Sequence, residues 1–108
     1  MIRVLITFPL VPEAIDQLNE IPEFEINAKP GLSPEQLLDE INGADALVCG
    51  GSPVVSASLL AAATGLKLIV TIGATDAVDA RAAQRRGIDV RHSDQEGTVA
   101  VLKDFFNV

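Results

Sequence analysis

The residue types that do chemistry are few in this sequence, and most of them lie beside glycine-rich turns. Cys49 precedes two glycines in CGGSPVVS, and His92 is followed two residues later by Asp94. Asp76 and Asp79 flank the turn in LKLIVTIGATDAVDARAAQRRGIDV. These residues would suit three kinds of chemistry: a reactive thiol, a histidine–aspartate acid–base pair, or two carboxylates that share proton transfer.

Each of these residues also has a structural explanation, and the sequence favours it. The segment after Cys49 holds no arginine to steady an anion beside a thiolate, and cysteine is among the residue types most often buried. His92 has no evident partner nucleophile, so a solvated loop histidine is the better interpretation. Asp79 is placed to cap a helix and Asp76 to form a turn. We therefore predict no catalytic residue among them.

Composition excludes several classes of function. One cysteine and one histidine rule out an intramolecular disulfide, a cysteine zinc cluster and a multi-histidine metal site. The formal net charge of −7 disfavours binding to nucleic acid or to an anionic membrane. No segment approaches the roughly 18 consecutive apolar residues of a membrane span. We expect a cytoplasmic protein, and the sequence does not choose between a monomer and a homodimer.

Strand-like and helix-like segments alternate from end to end, with no linker or repeat. Strands have β-branched and large apolar runs, whereas helices have apolar residues at helical spacing and begin at Ser, Asp or Pro. The predicted strands are 2–8, 24–28, 46–49, 68–72 and 88–91. The predicted helices are 12–20, 34–42, 57–63, 80–86 and 98–107, and the arginines of the fourth should form a solvated face.

This alternation predicts an α/β fold, a single flavodoxin-like domain over residues 1–108. The five parallel strands should follow the order 2-1-3-4-5, because the second strand alternates apolar and polar residues as an edge strand does. Apolar side chains should bury two helices in particular: Leu37, Leu38 and Ile41 in the second, and Val99, Val101, Leu102, Phe105 and Phe106 in the last. Ligands of such sheets bind beyond the carboxyl ends of the strands.

The loops at those ends do not fit several activities that this fold hosts. A phosphoacceptor domain needs acidic residues after the first strand and an aspartate after the third, where this chain has TFP and Cys49-Gly50. A flavin phosphate loop would be rich in Ser, Thr and Gly, unlike TFPLVPE. Dinucleotide and Walker-type patterns are absent, because Gly73 has no glycine two or five residues later.

The turn segment quoted above resembles the signature of the D-isomer-specific 2-hydroxyacid dehydrogenases, a family that includes phosphoglycerate and glyoxylate dehydrogenases. RVLITFPL, KPGLSPEQLLDEINGADALV and SASLLAAATGLKLIV resemble the N-terminal region of that family in order and spacing. The resemblance covers nearly the whole chain. It implies the flavodoxin-like substrate-binding domain, into which the family inserts a Rossmann domain. That inserted domain carries the NAD(P) motif and the catalytic arginine, acidic residue and histidine.

The resemblance also implies where a substrate carboxylate would bind. In many relatives, backbone N–H groups of the turn after the fourth strand hold the carboxylate, and the loop after the third strand often adds a polar or basic side chain, commonly arginine. This chain has Gly50 at the place of that arginine and lacks one glycine of the turn. The residues that could still offer backbone N–H groups to a small carboxylate, weakly, are Gly50, Gly51, Ser52, Gly73, Ala74 and Thr75.

We therefore expect a substrate-binding domain without catalytic activity or cofactor of its own, either a fragment or an engineered minimal domain. NAD(P) is expected only for the complete family enzyme. A stand-alone binding or scaffold module of flavodoxin-like fold is the alternative, and a thiol enzyme built on Cys49 ranks third. The last helix has two interpretations: an exit helix toward a further domain, or a closing helix fused to strand five and packed beside strands one and five.

Overall fold

The computed structural model describes residues 1–50, 55–73 and 78–108, and these form a five-stranded parallel sheet. The strand order is β2-β1-β3-β4-β5, as predicted. Three of the strands have the predicted bounds. The strands are β1 (Ile2–Ile6), β2 (Phe24–Ala28), β3 (Ala46–Cys49), β4 (Leu68–Ile72) and β5 (Asp89–Ser93).

Five helices connect and cover these strands within the described residues. They are α1 (Pro12–Asn19), α2 (Pro34–Ile41), α3 (Ala57–Ala62), α4 (Ala80–Arg85) and α5 (Thr98–Phe106). The helices α1 and α5 cover one face of the sheet, and α2, α3 and α4 cover the other. No helix in the described part of the chain is both long and apolar enough to cross a membrane.

The sheet separates two aliphatic cores because side chains alternate between the faces of a strand. On β4, Leu68, Val70 and Ile72 pack with α1 and α5, and Ile69 packs with the other three helices. All five residues of β4 are buried. A central strand of a parallel sheet is covered on both faces, which explains why LIVTI is a continuous apolar run around one threonine.

Side-chain caps set the beginnings of the three helices on the second face. Ser33 accepts a hydrogen bond from the backbone N–H of Gln36, whose side chain accepts from the N–H of Ser33 in return. Ser56 caps α3, and Asp79 caps α4. Because these caps satisfy backbone N–H groups that the helix itself leaves free, they fix where each helix leaves its preceding loop.

Predictions about one side chain and two strands were wrong. The first strand was predicted to extend to Phe8 but ends at Ile6, because the chain turns there, with the N–H of Leu10 bonded to the carbonyl of Phe8. Leu38 was predicted to be buried but is 44% exposed, because Leu37 and Ile41 face the sheet and Leu38 lies about 100° further round the helix. The fifth strand was predicted to end at Arg91. It extends to Ser93, because β4 remains paired with it as far as Ile72 opposite Ser93.

The last helix packs on the sheet, as a closing helix would. α5 contacts α1, β4 and β5, and its Leu102 belongs to the same buried cluster as Val4 and Ile6 of β1. Leu102 is fully buried, whereas Phe105 and Phe106 are only partly buried. The Phe106 ring meets the edges of Phe24 and Phe105, with ring centroids 5.9 and 4.9 Å apart.

We predict that Leu102→Ala lowers the free energy of unfolding by about 2–5 kcal/mol, because it leaves a cavity between α5 and the sheet. Ala100→Ser, at an exposed position of the same helix, should change it by less than about 0.5 kcal/mol. Urea unfolding followed by circular dichroism measures both. Equal stability of the Leu102→Ala variant and the unaltered chain would show that α5 is not part of the folded core.

Candidate functional site

Two loops at the carboxyl end of the sheet are held side by side at both of their ends. They begin after β3 and β4, which are adjacent strands with Cys49 opposite Thr71. They end at Val55 and Val78, which form a parallel bridge. Val55 is fully buried, and its carbonyl accepts a hydrogen bond of 2.9 Å from the N–H of Asp79. We call the region bordered by the described ends of these loops, Gly50, Val55, Gly73 and Val78, the mouth.

Gly50 forms one wall of the mouth, and the Phe8 ring lies against it. A Cβ atom added to Gly50 would overlap the Phe8 ring and would lie 3.5 Å from the carbonyl oxygen of Ile72. Phe8 itself packs against the core beneath α1 and α5. The place where the family resemblance implies an arginine therefore has no room for a side chain, because Phe8 fills it.

Gly73 opens the second loop in a conformation that favours glycine. Its φ angle is +83°, and a Cβ atom added there would meet nothing within 4 Å. An L-residue would be strained by the backbone rather than by crowding. Gly73 is exposed, so its backbone faces solvent at the mouth.

The structure brings together two of the six predicted carboxylate-binding residues. Gly50 and Gly73 follow adjacent strands directly, on the same edge of the sheet. Gly51, Ser52, Ala74 and Thr75 lie outside the described residues, as does Asp76. The role of all six as carboxylate ligands remains a prediction.

Cys49 belongs to the core rather than to the mouth. It is fully buried among the side chains beneath α2, α3 and α4. Desolvation by burial raises the pKa of the Cys49 thiol from its ordinary 9.0 to about 12. A thiol that stays protonated at neutral pH is a poor nucleophile, so the structure supports the prediction of a core cysteine.

His92 and Asp94 do not form an acid–base pair. His92 lies in β5 rather than in a loop, and its Nδ1 atom forms a hydrogen bond with the Thr71 hydroxyl on the neighbouring strand. The Asp94 carboxylate accepts from the N–H of Gly97 at 2.6 Å. The Thr98 hydroxyl donates to the Asp94 carbonyl at 2.8 Å. Asp94 therefore shapes the turn into α5.

Asp79 also has the structural role that the sequence predicted. Its carboxylate accepts a hydrogen bond of 3.1 Å from the N–H of Ala82, in the first turn of α4. The carboxylate thus occupies the positive end of that helix, where an anionic ligand would otherwise be stabilised. The N-terminal end of α4 is therefore already occupied by a carboxylate of the chain itself.

The four loops at the carboxyl end contain no lysine or arginine over residues 7–11, 50–55, 73–78 and 93–97. Nearby, Glu13, Asp94 and Glu96 line an open depression of about 560 Å³ between α1 and the turn before α5. Arg91 is already paired with Asp89 at 3.0 Å and with Asp104 at 3.6 Å. An anion at the mouth would therefore depend on hydrogen bonds from neutral N–H groups. Such hydrogen bonds are weaker than those from a lysine or arginine side chain.

Sequence reasoning missed the Phe8–Gly50 contact and the Val55–Val78 bridge. Both join residues that are more than twenty positions apart, and no local pattern in one sequence marks such a pair. Val55 and Val78 gave one usable signal, since each is a valine directly before a predicted helix cap, Ser56 or Asp79. Such residues often anchor a loop to the core.

Comparison with known families and proteins agrees with this geometry. Residues 4–101 match the family model described as D-isomer specific 2-hydroxyacid dehydrogenase, catalytic domain. The chain is 34% identical over 104 residues to a D-3-phosphoglycerate dehydrogenase of Methanocaldococcus jannaschii. The aligned region covers 95% of this chain and 20% of the relative. It is 33% identical over 102 residues to the enzyme of that name in Archaeoglobus fulgidus. The chain spans about a fifth of the length of these relatives.

Solved structures show the same fold. A Thermus thermophilus protein superposes with a TM-score of 0.74 at 36% identity, over 82% of this chain and 29% of that one. A 3-phosphoglycerate dehydrogenase of Entamoeba histolytica, solved with bound NAD⁺, superposes with a TM-score of 0.73 at 20% identity. At that identity the second likeness is one of fold alone.

We predict that Gly50→Ala lowers the free energy of unfolding by about 1–3 kcal/mol, because the new methyl group overlaps the Phe8 ring. In a Phe8→Ala background the same substitution should cost less than about 0.5 kcal/mol, since the obstacle is gone. Urea unfolding of the four proteins measures this coupling. Equal costs in the two backgrounds would show that Phe8 does not fill the space beside Gly50.

We predict that burial of Cys49 makes stability depend on pH above the ordinary thiol pKa. Because the folded-state pKa is raised to about 12, the unfolded chain ionises first, and stability present below pH 9.0 is lost as pH rises toward 12. The loss should reach about 1.4 kcal/mol near pH 10. Cys49→Ala removes this component, so the difference between the two proteins should shrink by that amount between pH 8 and pH 10. A constant difference would contradict a buried, protonated thiol.

Proposed function

Because the chain belongs to the D-isomer specific 2-hydroxyacid dehydrogenase family, with its catalytic domain over residues 4–101, we propose that it binds the carboxylate of a small 2-hydroxy acid. The matching 2-oxo acid carries the same carboxylate and should bind in the same way. The proposed site is the mouth, and the proposed donors are backbone N–H groups of Gly50, Gly51, Ser52, Gly73, Ala74 and Thr75.

The observation that supports this proposal is the double anchoring of the two loops. Adjacent strands fix where the loops begin, and the Val55–Val78 bridge fixes where they end. Backbone N–H groups that converge in a turn can form a concave site for an anion. Since the loops have no lysine or arginine, the dissociation constant should be in the millimolar range, which corresponds to a binding free energy of about 4 kcal/mol.

The described residues do not fit a nicotinamide dinucleotide. The pyrophosphate of such a cofactor needs a glycine-rich turn and a free helix N-terminus. After β4 that position is held by the Asp79 carboxylate, which would repel a phosphate. After β1, the Phe8 ring lies against Gly50, and Pro12 begins the helix without an N–H group to donate.

We therefore propose that residues 1–108 do not transfer hydride by themselves. The NAD-binding residues, and the arginine, acidic residue and histidine of the family's reaction, would have to come from other parts of a complete enzyme. The contribution of this domain would be to hold and orient the substrate. We propose that the protein is located in the cytoplasm.

Binding can be tested by titrating the ¹⁵N-labelled chain with D-lactate and, in parallel, with D-lactamide, its uncharged analogue. We expect D-lactate to change the amide chemical shifts of Gly50 and Gly73, with a dissociation constant on the order of millimolar. D-lactamide should leave these shifts unchanged. Adding NAD⁺ to the same sample should produce no NADH. Shifts confined to other parts of the chain would contradict the proposed site.

The matched variants are Gly73→Ala and Gly87→Ala. Both glycines have positive φ angles, +83° and +74°, and neither would crowd a neighbour through an added Cβ atom. Each substitution should therefore cost a similar stability, about 1 kcal/mol. Gly73→Ala should weaken D-lactate binding several-fold, whereas Gly87→Ala, at the far end of the sheet, should not. Equal affinities of the two variants for D-lactate would show that Gly73 does not contribute to the site.

A further inference from the structure

Charge is distributed unevenly over the face formed by α2, α3 and α4. The exposed acidic residues Glu35 and Asp39 lie on α2, and the exposed arginines Arg81 and Arg85 lie on α4, with Arg86 at its end. α3 contacts both helices and has no charged residue. Among the described residues none of these arginines forms an ion pair. One face thus has an acidic side and a basic side about a neutral centre.

Two grooves follow the sides of α3. The groove toward α2 has a volume of about 230 Å³ and is lined by Glu35, Leu38 and Leu59, with Pro34, Ser56 and Ser58. The groove toward α4 has a volume of about 530 Å³ and is lined by Ala57, Ala82, Arg85 and Arg86. Leu38 projects from the acidic side and is 44% exposed, the largest exposure of a large apolar side chain on this face among the described residues.

We propose that this face binds a second copy of the chain through a two-fold axis that runs parallel to α3, in the plane of the interface. Rotation about such an axis places α2 of one copy over α4 of the other, twice in the same dimer. Glu35 and Asp39 then meet Arg81 and Arg85 of the second copy. Leu38 enters the groove beside Ala57 and Ala82, where arginine side-chain stems cover it. The inference does not depend on the proposed carboxylate site.

A second copy explains more of the face than an unrelated acidic partner does. An acidic peptide would neutralise α4, but it would leave Leu38 and the acidic residues of α2 uncovered. A self-complementary pattern is what a two-fold interface requires, since each patch must match the other patch of the same surface. A stable interface of this type buries about 800 Å² on each partner, a small share of the 5792 Å² surface of this chain.

The test uses two charge-reversed proteins and their mixture. The first carries Arg81→Glu and Arg85→Glu, so its face is acidic on both sides. The second carries Glu35→Arg and Asp39→Arg, so its face is basic on both sides. Sedimentation velocity should show each alone with a dimer dissociation constant raised at least about tenfold. The equimolar mixture should form a heterodimer at least as stable as the unaltered dimer, because every pair across the interface is again of opposite sign.

Two control proteins carry the same changes of net charge elsewhere. Lys67→Glu with Lys103→Glu matches the first, and Glu13→Arg with Asp16→Arg matches the second; all four residues are exposed. Both controls should dimerise like the unaltered chain. Leu38→Ser, with all charges kept, should also raise the dissociation constant about tenfold.

Three results would overturn the proposal. The unaltered chain could remain monomeric at millimolar concentration. The two reversed proteins could fail to associate when mixed, which would show that their charges do not face each other. The controls could dissociate as far as the reversed proteins, which would show that net charge rather than this face governs assembly. Circular dichroism of every variant confirms that loss of dimer is not loss of fold.

Discussion

The pairing of β3 with β4 at the centre of the sheet is the interaction on which the rest of the molecule depends. It brings Cys49 opposite Thr71, so that Gly50 and Gly73 leave the sheet side by side. The Val55–Val78 bridge repeats this parallel pairing beyond the two loops. The same two strands separate the two aliphatic cores, and every helix packs against one of these cores. Fold and candidate site therefore share one constraint.

The described border of the mouth is formed by Gly50, Gly73 and the Phe8 ring. Three described residues with chemically active side chains near the carboxyl end of the sheet have structural roles. Cys49 is buried, Asp79 caps a helix and Asp94 shapes a turn. These three residues therefore serve the fold, which supports the proposal that this domain positions the substrate for other parts of a complete enzyme.

The sequence predicted the features that local patterns determine. The bounds of β3 and β4 were predicted correctly, because each is a short apolar run closed by a glycine. The extent of β5 was not predicted correctly. The polar segment Arg91–Ser93 has no apolar periodicity, and it forms a strand only because β4 pairs with it. The exposure of Leu38 and the contact between Phe8 and Gly50 depend on how distant segments pack, which one sequence does not record. The resemblance to the family predicts a carboxylate site at the mouth, and that site stays a prediction, whereas the structure shows that the Phe8 ring lies where a side chain at position 50 would begin.

A crystal structure of the chain grown with oxamate, a small carboxylate that resembles a 2-oxo acid, tests the central claim most directly. The account predicts the oxamate carboxylate at the mouth, with its oxygens about 3 Å from backbone nitrogens of the loops after β3 and β4. Gly50 and Gly73 should border it, and the Phe8 ring should remain in place. Oxamate bound only to the arginines of α4, with none at the mouth, would contradict the account.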